Sequence, residues 1–284
     1  MHELRVLPFE KLLFANETLA VGSHRLPSSH PEFESYGPTS AFLVVFPRNS
    51  TLLEYAGGDR FVGSPAVAPL YNRGQEYRRR KVSDEGDHCD WFAIAPETLR
   101  PLVAKFDRAA ADSDCPLTFS HVRVEPRDYL EQRSVVDHLA GAGTDALFVE
   151  ETTLNVCTRV LARAYERRVA DPPSRSQQEL ARATSQVLSR TFTRNWSLSR
   201  IADAVDSSPF HLARAFKQTM GVTIHQHRIA LRMHASLELL RDTNRDIGTI
   251  ALDLGFGDHS HFTVAFRQRF GLTPSRYRER ATFS

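Results

Sequence analysis

Apolar residues follow two different rhythms along this chain. Up to about residue 95 they come in short runs: AFLVVFP from Ala41 to Pro47, RFVGSPAVAPLYN from Arg60 to Asn72 and CDWFAIA from Cys89 to Ala95. Glycine, proline or charge bounds each run, which predicts buried strands. Gly37, Gly57, Gly58, Gly63, Gly74 and Gly86 fall at turn positions, and the spacing suits a small barrel or sandwich rather than βαβ units. Beyond Pro126 the period becomes helical. Tyr129, Val135, Val136 and Leu139 share one helical spacing. A longer helix is predicted from about Thr144 to Val169, with Leu147, Leu154, Cys157, Val160, Leu161 and Ala164 on one stripe. Two prolines, Pro172 and Pro173, then stop it, and Ser174, Arg175 and Ser176 continue a short polar break. This reading divides the chain into a unit over 1–170, a linker over 171–178 and a wholly helical unit over 179–284.

The helical unit repeats itself. AFKQ at Ala215 to Gln218 recurs as AFRQ at Ala265 to Gln268, Gly221-Val222-Thr223 answers Gly271-Leu272-Thr273, and His211 answers His261. Upstream, Ile201-Ala202 answers Ile250-Ala251 with one residue absorbed in the turn. Each copy reads as one helix-turn-helix. In the first, Leu198 to Val205 forms a short helix after Ser197, Asp206-Ser207 turns, and Ser208 caps a second helix that has Pro209 at its first position. In the second, Ile247 to Leu254 is the short helix, Gly255 to Gly257 the turn, and Asp258 the cap of a helix reaching Phe270. Gly221 and Gly271 suit the left-handed stop at the ends of the longer helices. Between the copies, Ile224 to Arg241 reads as a helix of about 18 residues, roughly 27 Å at about 1.5 Å per residue. Such a spacer would hold the two repeats apart by a distance comparable to one turn of DNA, about 34 Å.

Charge supports the same division. Residues 176–284 carry 15 Lys+Arg against 9 Asp+Glu, while residues 1–175 carry 21 against 25. A basic module joined to an acidic one suits a phosphate-binding unit with a separate sensing or assembly unit. Overall composition is ordinary for a globular chain, and 284 residues suffice for two cores. No apolar run approaches the roughly 20 residues of a membrane span, and residues 1–11 lack the order of a secretory leader, so a cytoplasmic protein without membrane partners is expected. Cys89, Cys115 and Cys157 are widely spaced and suggest neither a disulfide framework nor a zinc site.

Residues 180–280 resemble the DNA-binding domain of the AraC/XylS transcription regulators. The likeness rests on Ile201-Ala202, Ser208, Leu212 to Lys217, Gly221, Arg232, Ala235, Leu239-Leu240, Ile250-Ala251, Gly255-Phe256, Asp258 to Phe262, Phe266-Arg267, Gly271 and Thr273 to Ser275. The β-rich half resembles the cupin-like sensing domains of that family in general form. The resemblance implies an α+β chain: a cupin-like barrel with helices, then an all-α domain of two helix-turn-helix units joined by a linker helix. It implies double-stranded DNA as partner, with RNA polymerase added if the protein is an activator.

The family's groove-facing positions fall on Phe210, Ala213, Arg214 and Lys217 in the first unit, opposite Leu212 and Phe216. In the second they fall on His259, Ser260, Thr263, Val264 and Arg267. Arg214 is the first choice for base readout, because its fork can meet guanine O6 and N7 together. Val264 stands where the family commonly has a basic residue, so the second helix is expected mainly to position the domain. Phe210 either packs on a thymine methyl or completes the core. Lys217, Arg228, Arg232, Arg276 and Arg278 are candidates for phosphate contact, with Arg232 equally readable as a structural cation between the units. His261 is expected to be packed or partly buried.

For residues 1–170 three roles stay open. A small-molecule effector could sit in a pocket lined by Trp91, Phe92, Tyr71, Tyr77 and Arg78 to Arg80; alternatively these aromatics are core and the arginines a solvated edge strand. His24, His30 and Glu32 could ligate a divalent ion, but no His-x-His pair with a following carboxylate accompanies them, and neither metal, cofactor nor catalysis is expected. The third role is assembly, with the Thr144 to Val169 helix packing against its copy in a homodimer or, equally, onto its own barrel.

Overall fold

The computed structural model describes residues 7, 9–34, 37–141, 145–166 and 173–282. The strands are β1 (Glu10–Ala15), β2 (Leu19–Leu26), β3 (Phe42–Pro47), β4 (Thr51–Tyr55), β5 (Arg60–Gly63), β6 (Val67–Tyr71), β7 (Tyr77–Lys81), β8 (Asp87–Ile94) and β9 (His121–Arg123). With them are α1 (Pro96–Ala104), α2 (Arg108–Ala111), α3 (Pro126–Ala140) and α4 (Ala146–Glu166). Then follow α5 (Arg175–Thr191), α6 (Leu198–Asp203), α7 (Pro209–Met220), α8 (Ile224–Asp242), α9 (Ile247–Asp253), α10 (His259–Phe270) and α11 (Pro274–Thr282). The chain divides into two units, residues 1–170 and 171–284. It is an α+β protein with strands confined to the first unit.

In the first unit a six-stranded sheet, ordered β1-β2-β8-β3-β6-β9, accompanies a three-stranded one, β5-β4-β7, and every pairing is antiparallel. β8 is central. It pairs with β2 through eight residues and with β3 through six, and is buried on both faces, which is why its second half, Trp91 to Ile94, is wholly apolar. Alternation along it still separates two surfaces. Asp87, Cys89 and Trp91 face a cavity between the sheets, while the fully buried Asp90 lies between them in sequence and is held from α3. Gln132 Nε2 donates to its carboxylate at 2.8 Å and Arg133 Nη1 at 3.0 Å, with Arg48 Nε from the β3–β4 connection at 3.1 Å. Asp90 and Arg133, both buried, are thus paired and hydrogen-bonded, as burial of charge requires.

α4 packs on α3 and β9. Its buried stripe is Val149, Thr153, Val156, Cys157, Val160, Leu161 and Ala164, with Leu147 exposed and Leu154 only partly covered, so the stripe is rotated from the predicted one. Arg159 donates to Asp128 at 2.7 Å and Arg163 pairs with the same carboxylate, tying α4 to α3. The predicted ends at Thr144 and Val169 lie outside the described residues.

The linker reading over 171–178 needs correction. Ser174 Oγ accepts from Gln177 N at 3.3 Å and Gln177 Oε1 accepts from Ser174 N at 2.8 Å, so the polar stretch is a capping box that starts α5. α5 supplies Ala181 and Leu188 to a core with Ile201, Ala202, Leu212, Phe216, Ile224 and Leu231. The second helix-turn-helix has its own centre in Phe256, Phe262, Phe266 and Phe270, whose rings meet edge to face or tilted at 4.7–5.7 Å. α8 runs between these cores and is buried on most of its circumference.

Candidate functional site

Two helices present matching outer faces. Ser208 Oγ accepts from His211 N at 3.3 Å to cap α7, Pro209 occupies its first turn, and Gly221 ends it in the left-handed region at φ 75°. Leu212, Ala215 and Phe216 point inward. On the opposite side Phe210 is 80% exposed, Arg214 and Lys217 are exposed and Ala213 is half-buried. The core alternative for Phe210 is therefore excluded. α10 is built alike: Asp258 Oδ1 accepts from His261 N at 2.7 Å, and Gly271 ends the helix at φ 77°. Phe262, Phe266 and Phe270 are inward; His259, Ser260, Arg267 and the 54%-exposed Val264 are outward, with Thr263 half-buried. Neither outer face contains a carboxylate, so both carry only positive or neutral groups.

Three sequence expectations change here. Arg232 is only 3% exposed and takes no part in the exposed faces of α7 and α10. Its guanidinium donates to Phe192 O at 2.6 Å, Gly255 O at 2.8 Å, Asn195 Oδ1 at 2.9 Å and Arg194 O at 3.3 Å. These acceptors lie on the α5–α6 connection and on the α9–α10 turn, so one side chain ties the two helix-turn-helix units together. Gly255 is required at that turn: its φ is 84°, and a Cβ would come within 2.1 Å of Thr193 O and 2.7 Å of the Arg232 guanidinium. Burial, with the Arg228 charge beside it, lowers the Arg232 pKa to about 10, which leaves it a cation at neutral pH. Arg228 and Arg278 are likewise engaged by backbone carbonyls, at Trp196 O (2.8 Å) and Arg245 O (2.7 Å). His261 is exposed rather than packed, although its ring meets that of Phe256 edge to face with centroids 5.6 Å apart.

Two histidines that sequence reasoning passed over lie on the inner side of α8. Burial, with the Arg269 charge, pushes His227 down to about 4 and His234 well below its ordinary 6.5. A folded-state pKa below the unfolded value means the unfolded chain takes up the proton first, so stability is complete above about pH 6.5 and falls as pH drops toward 4. Acidification from pH 7 to pH 5 is expected to cost on the order of 2 kcal/mol through His227 alone. Chemical denaturation of the wild type and His227→Gln at both pH values checks this, with the variant losing less.

In the first unit a cavity of about 490 Å³ lies between the sheets. Of the aromatic residues expected at a pocket, Trp91, Tyr71 and Tyr77 line it; Phe92 faces away and packs against Phe46 at 5.3 Å. The arginine run is split by strand alternation. Arg78 and Arg80 are exposed on β7, whereas Arg79 is 1% exposed, donates to Asp87 Oδ2 at 2.6 Å and lies 2.5 Å from His24 Nε2. The solvated-edge reading fails for Arg79 alone. Burial would raise the Asp87 carboxyl, but His24 and Arg79 outweigh it and hold it below the ordinary carboxylate range. His24 is thus committed to this cluster, and no group of three or more His, Cys, Asp or Glu is placed to hold a metal among the described residues.

A helix-turn-helix domain model matches residues 201–280, which take in the end of α6, all of α9, both outward-facing helices and the joining α8. The C-terminal unit is an AraC-type helix-turn-helix domain. The chain is 33% identical over 95 residues to the bifunctional transcriptional activator/DNA repair enzyme AdaA of Bacillus subtilis, covering 34% of this chain and 45% of that protein. It is 32% identical over 164 residues to the HTH-type transcriptional activator RhaR of Klebsiella pneumoniae, covering 57% of this chain and 58% of that one. The chain therefore spans about half the length of these relatives. Among solved structures, a regulator from Chromobacterium violaceum with an AraC-type DNA-binding domain is 27% identical at TM-score 0.36, covering 38% of this chain and 96% of that one. Within the AraC-type domain, Arg232 is the joint between the two repeats, and α7 and α10 carry its free faces. No helix among the described residues is long and apolar enough to cross a membrane.

Proposed function

We propose that the protein is a sequence-specific regulator of transcription that binds double-stranded DNA through α7 and α10. The observation that carries this reading is the pair of capped helices whose outer faces, free of carboxylates, are exposed while their inner faces fill two joined cores. Arg214 reads bases from α7. Val264 offers only apolar contact at the equivalent place on α10, where Arg267 and the flanking His259, Ser260 and Thr263 hold the phosphate backbone and set register. Lys217 and Arg276 add phosphate contacts. Regulation requires no catalysis, and the chemistry of the site is recognition alone. If binding activates, RNA polymerase is the further partner.

The first unit serves as the effector domain in this reading. A cavity of about 490 Å³ is of the size that holds a small ligand, and it favours sensing over a role limited to assembly. The apolar stripe of α4 is spent on α3 and β9, so a homodimer would be built on another surface. Titration of labelled duplexes by fluorescence anisotropy tests the DNA reading. Arg267→Ala is expected to weaken binding alike on selected and scrambled DNA and to lower the salt slope by about one. Sequence-selective loss in that variant, or no salt-dependent binding by the wild type, would contradict it.

A further inference from the structure

The cavity is lined by apolar and charged groups together. Val45, Pro47, Leu53, Gly63 and Pro69 give it an apolar wall. Glu10, His24, Glu32, Arg79 and Asp87 also line it, with Leu53 paired across the strands with Arg79. The three carboxylates outnumber the two bases even when the imidazole is counted as a cation. Arg79 gives its charge to Asp87 at 2.6 Å, and His24 lies 3.8 Å from Glu10 and 3.5 Å from Asp87. An anionic ligand would meet excess negative charge, and Asp87 already holds Nη1 of the guanidinium. Trp91 stands in the same cavity, 4% exposed, with its indole N–H buried and without a hydrogen-bond partner among the described residues. A buried donor without an acceptor is costly, so a group that accepts from it gains correspondingly. Its ring, with those of Tyr71 and Tyr77, adds faces that attract cations.

We propose that the cavity takes an organic cation: a primary ammonium head held by Glu10 and Glu32 beside the ionised Asp87, an apolar body against Val45, Leu53 and Pro69, and an oxygen that accepts from the Trp91 N–H. This rests on the effector reading above and gives it a ligand class. The carboxylates provide acceptors for the three ammonium protons, and the excess of carboxylate over base supplies the Coulombic preference.

The test uses the full chain and three probes on one skeleton: a methoxyphenyl-propylamine, the corresponding propanoate and the corresponding propanol. The amine is expected to bind saturably, followed by tryptophan fluorescence and a rise in melting temperature, and more tightly than either analogue. Glu10→Gln is expected to weaken the amine by about tenfold, the effect of one lost ion pair of roughly 1.4 kcal/mol, and to leave the propanol unchanged. Because Glu10 also receives Leu7 N, the exposed Glu32→Gln serves as a second variant, with the same direction and a smaller loss. Propanoate or propanol binding as tightly as the amine overturns the cation assignment and leaves effector sensing intact. So does amine affinity unchanged in both variants. If none of the three binds, the cation assignment fails, and Val45→Trp, which fills the cavity, judges sensing separately: unaltered reporter transcription in cells would remove the effector reading as well.

Discussion

Replacing Arg214 by alanine is expected to weaken binding to the selected DNA sequence by about 10- to 100-fold, the loss of one bidentate base contact of roughly 1–3 kcal/mol. Affinity for scrambled duplex should stay within about twofold, since non-specific affinity comes from phosphate contacts that Lys217, Arg267 and Arg276 retain. Folding should be untouched. Arg214 is exposed on the face of α7 opposite Leu212 and Phe216, and its loss opens no cavity. Melting temperature and anisotropy on the two duplexes give both readouts. Arg214→Lys should not restore discrimination, because an ammonium lacks the planar fork. Equal losses on selected and scrambled DNA would mean that Arg214 is only a phosphate contact.

Arg232→Met is expected to act through stability, with a loss of about 3 kcal/mol or more, since several buried acceptors lose their donor at about 1–3 kcal/mol each. The acceptors Phe192 O, Arg194 O, Asn195 Oδ1 and Gly255 O belong to two different helix-turn-helix units. Losing their common donor therefore frees one repeat from the other as well as costing energy. DNA affinity should fall on every sequence, including at temperatures where the variant is still folded, because the two outer helices no longer share a fixed spacing. Arg232→Lys should rescue little: one ammonium does not reach acceptors arranged around a planar guanidinium. Urea denaturation followed by tryptophan fluorescence measures the first effect. A variant with wild-type stability would show that other packing holds the joint.

Much of the helical unit was legible in the sequence because its signals are local. Ser208 with Pro209, Asp258, Gly221 and Gly271 each act within one turn of chain, and the repeat supplied a second reading of the same signals. Ser174 was legible too, as the first member of an S-x-x-Q capping box, but two preceding prolines made the stretch look like a break. Arg232 was ambiguous for a different reason. Its partners lie between 23 and 40 residues away, on turns whose proximity depends on how α8 lies between the cores. In the β-rich unit, β3, β6 and β8 stood out as apolar runs, whereas β1 and β7 carry too much charge to do so. The Arg79–Asp87 pair could have been suspected from the alternation in Arg78 to Arg80, which must send the middle residue to the face opposite its neighbours. That this face is the cavity follows only from pairing β7 with β4 and setting that sheet against β8. The phase of α4 was misjudged because Leu147 and Leu154 are apolar yet lie off its buried side, and periodicity alone does not tell which of two adjacent stripes the fold covers.

In the proposed mode of binding the two outer helices do unequal work, α7 discriminating and α10 positioning. Selection of bound sequences from randomised duplexes by the wild-type protein tests it most directly. One strongly specified segment, flanked about one helical turn away by a weakly specified one, is the expected profile, with the strong segment flattened in Arg214→Ala and kept in Arg267→Ala. Two segments of equal information content, or a strong segment that survives the loss of Arg214, would contradict it.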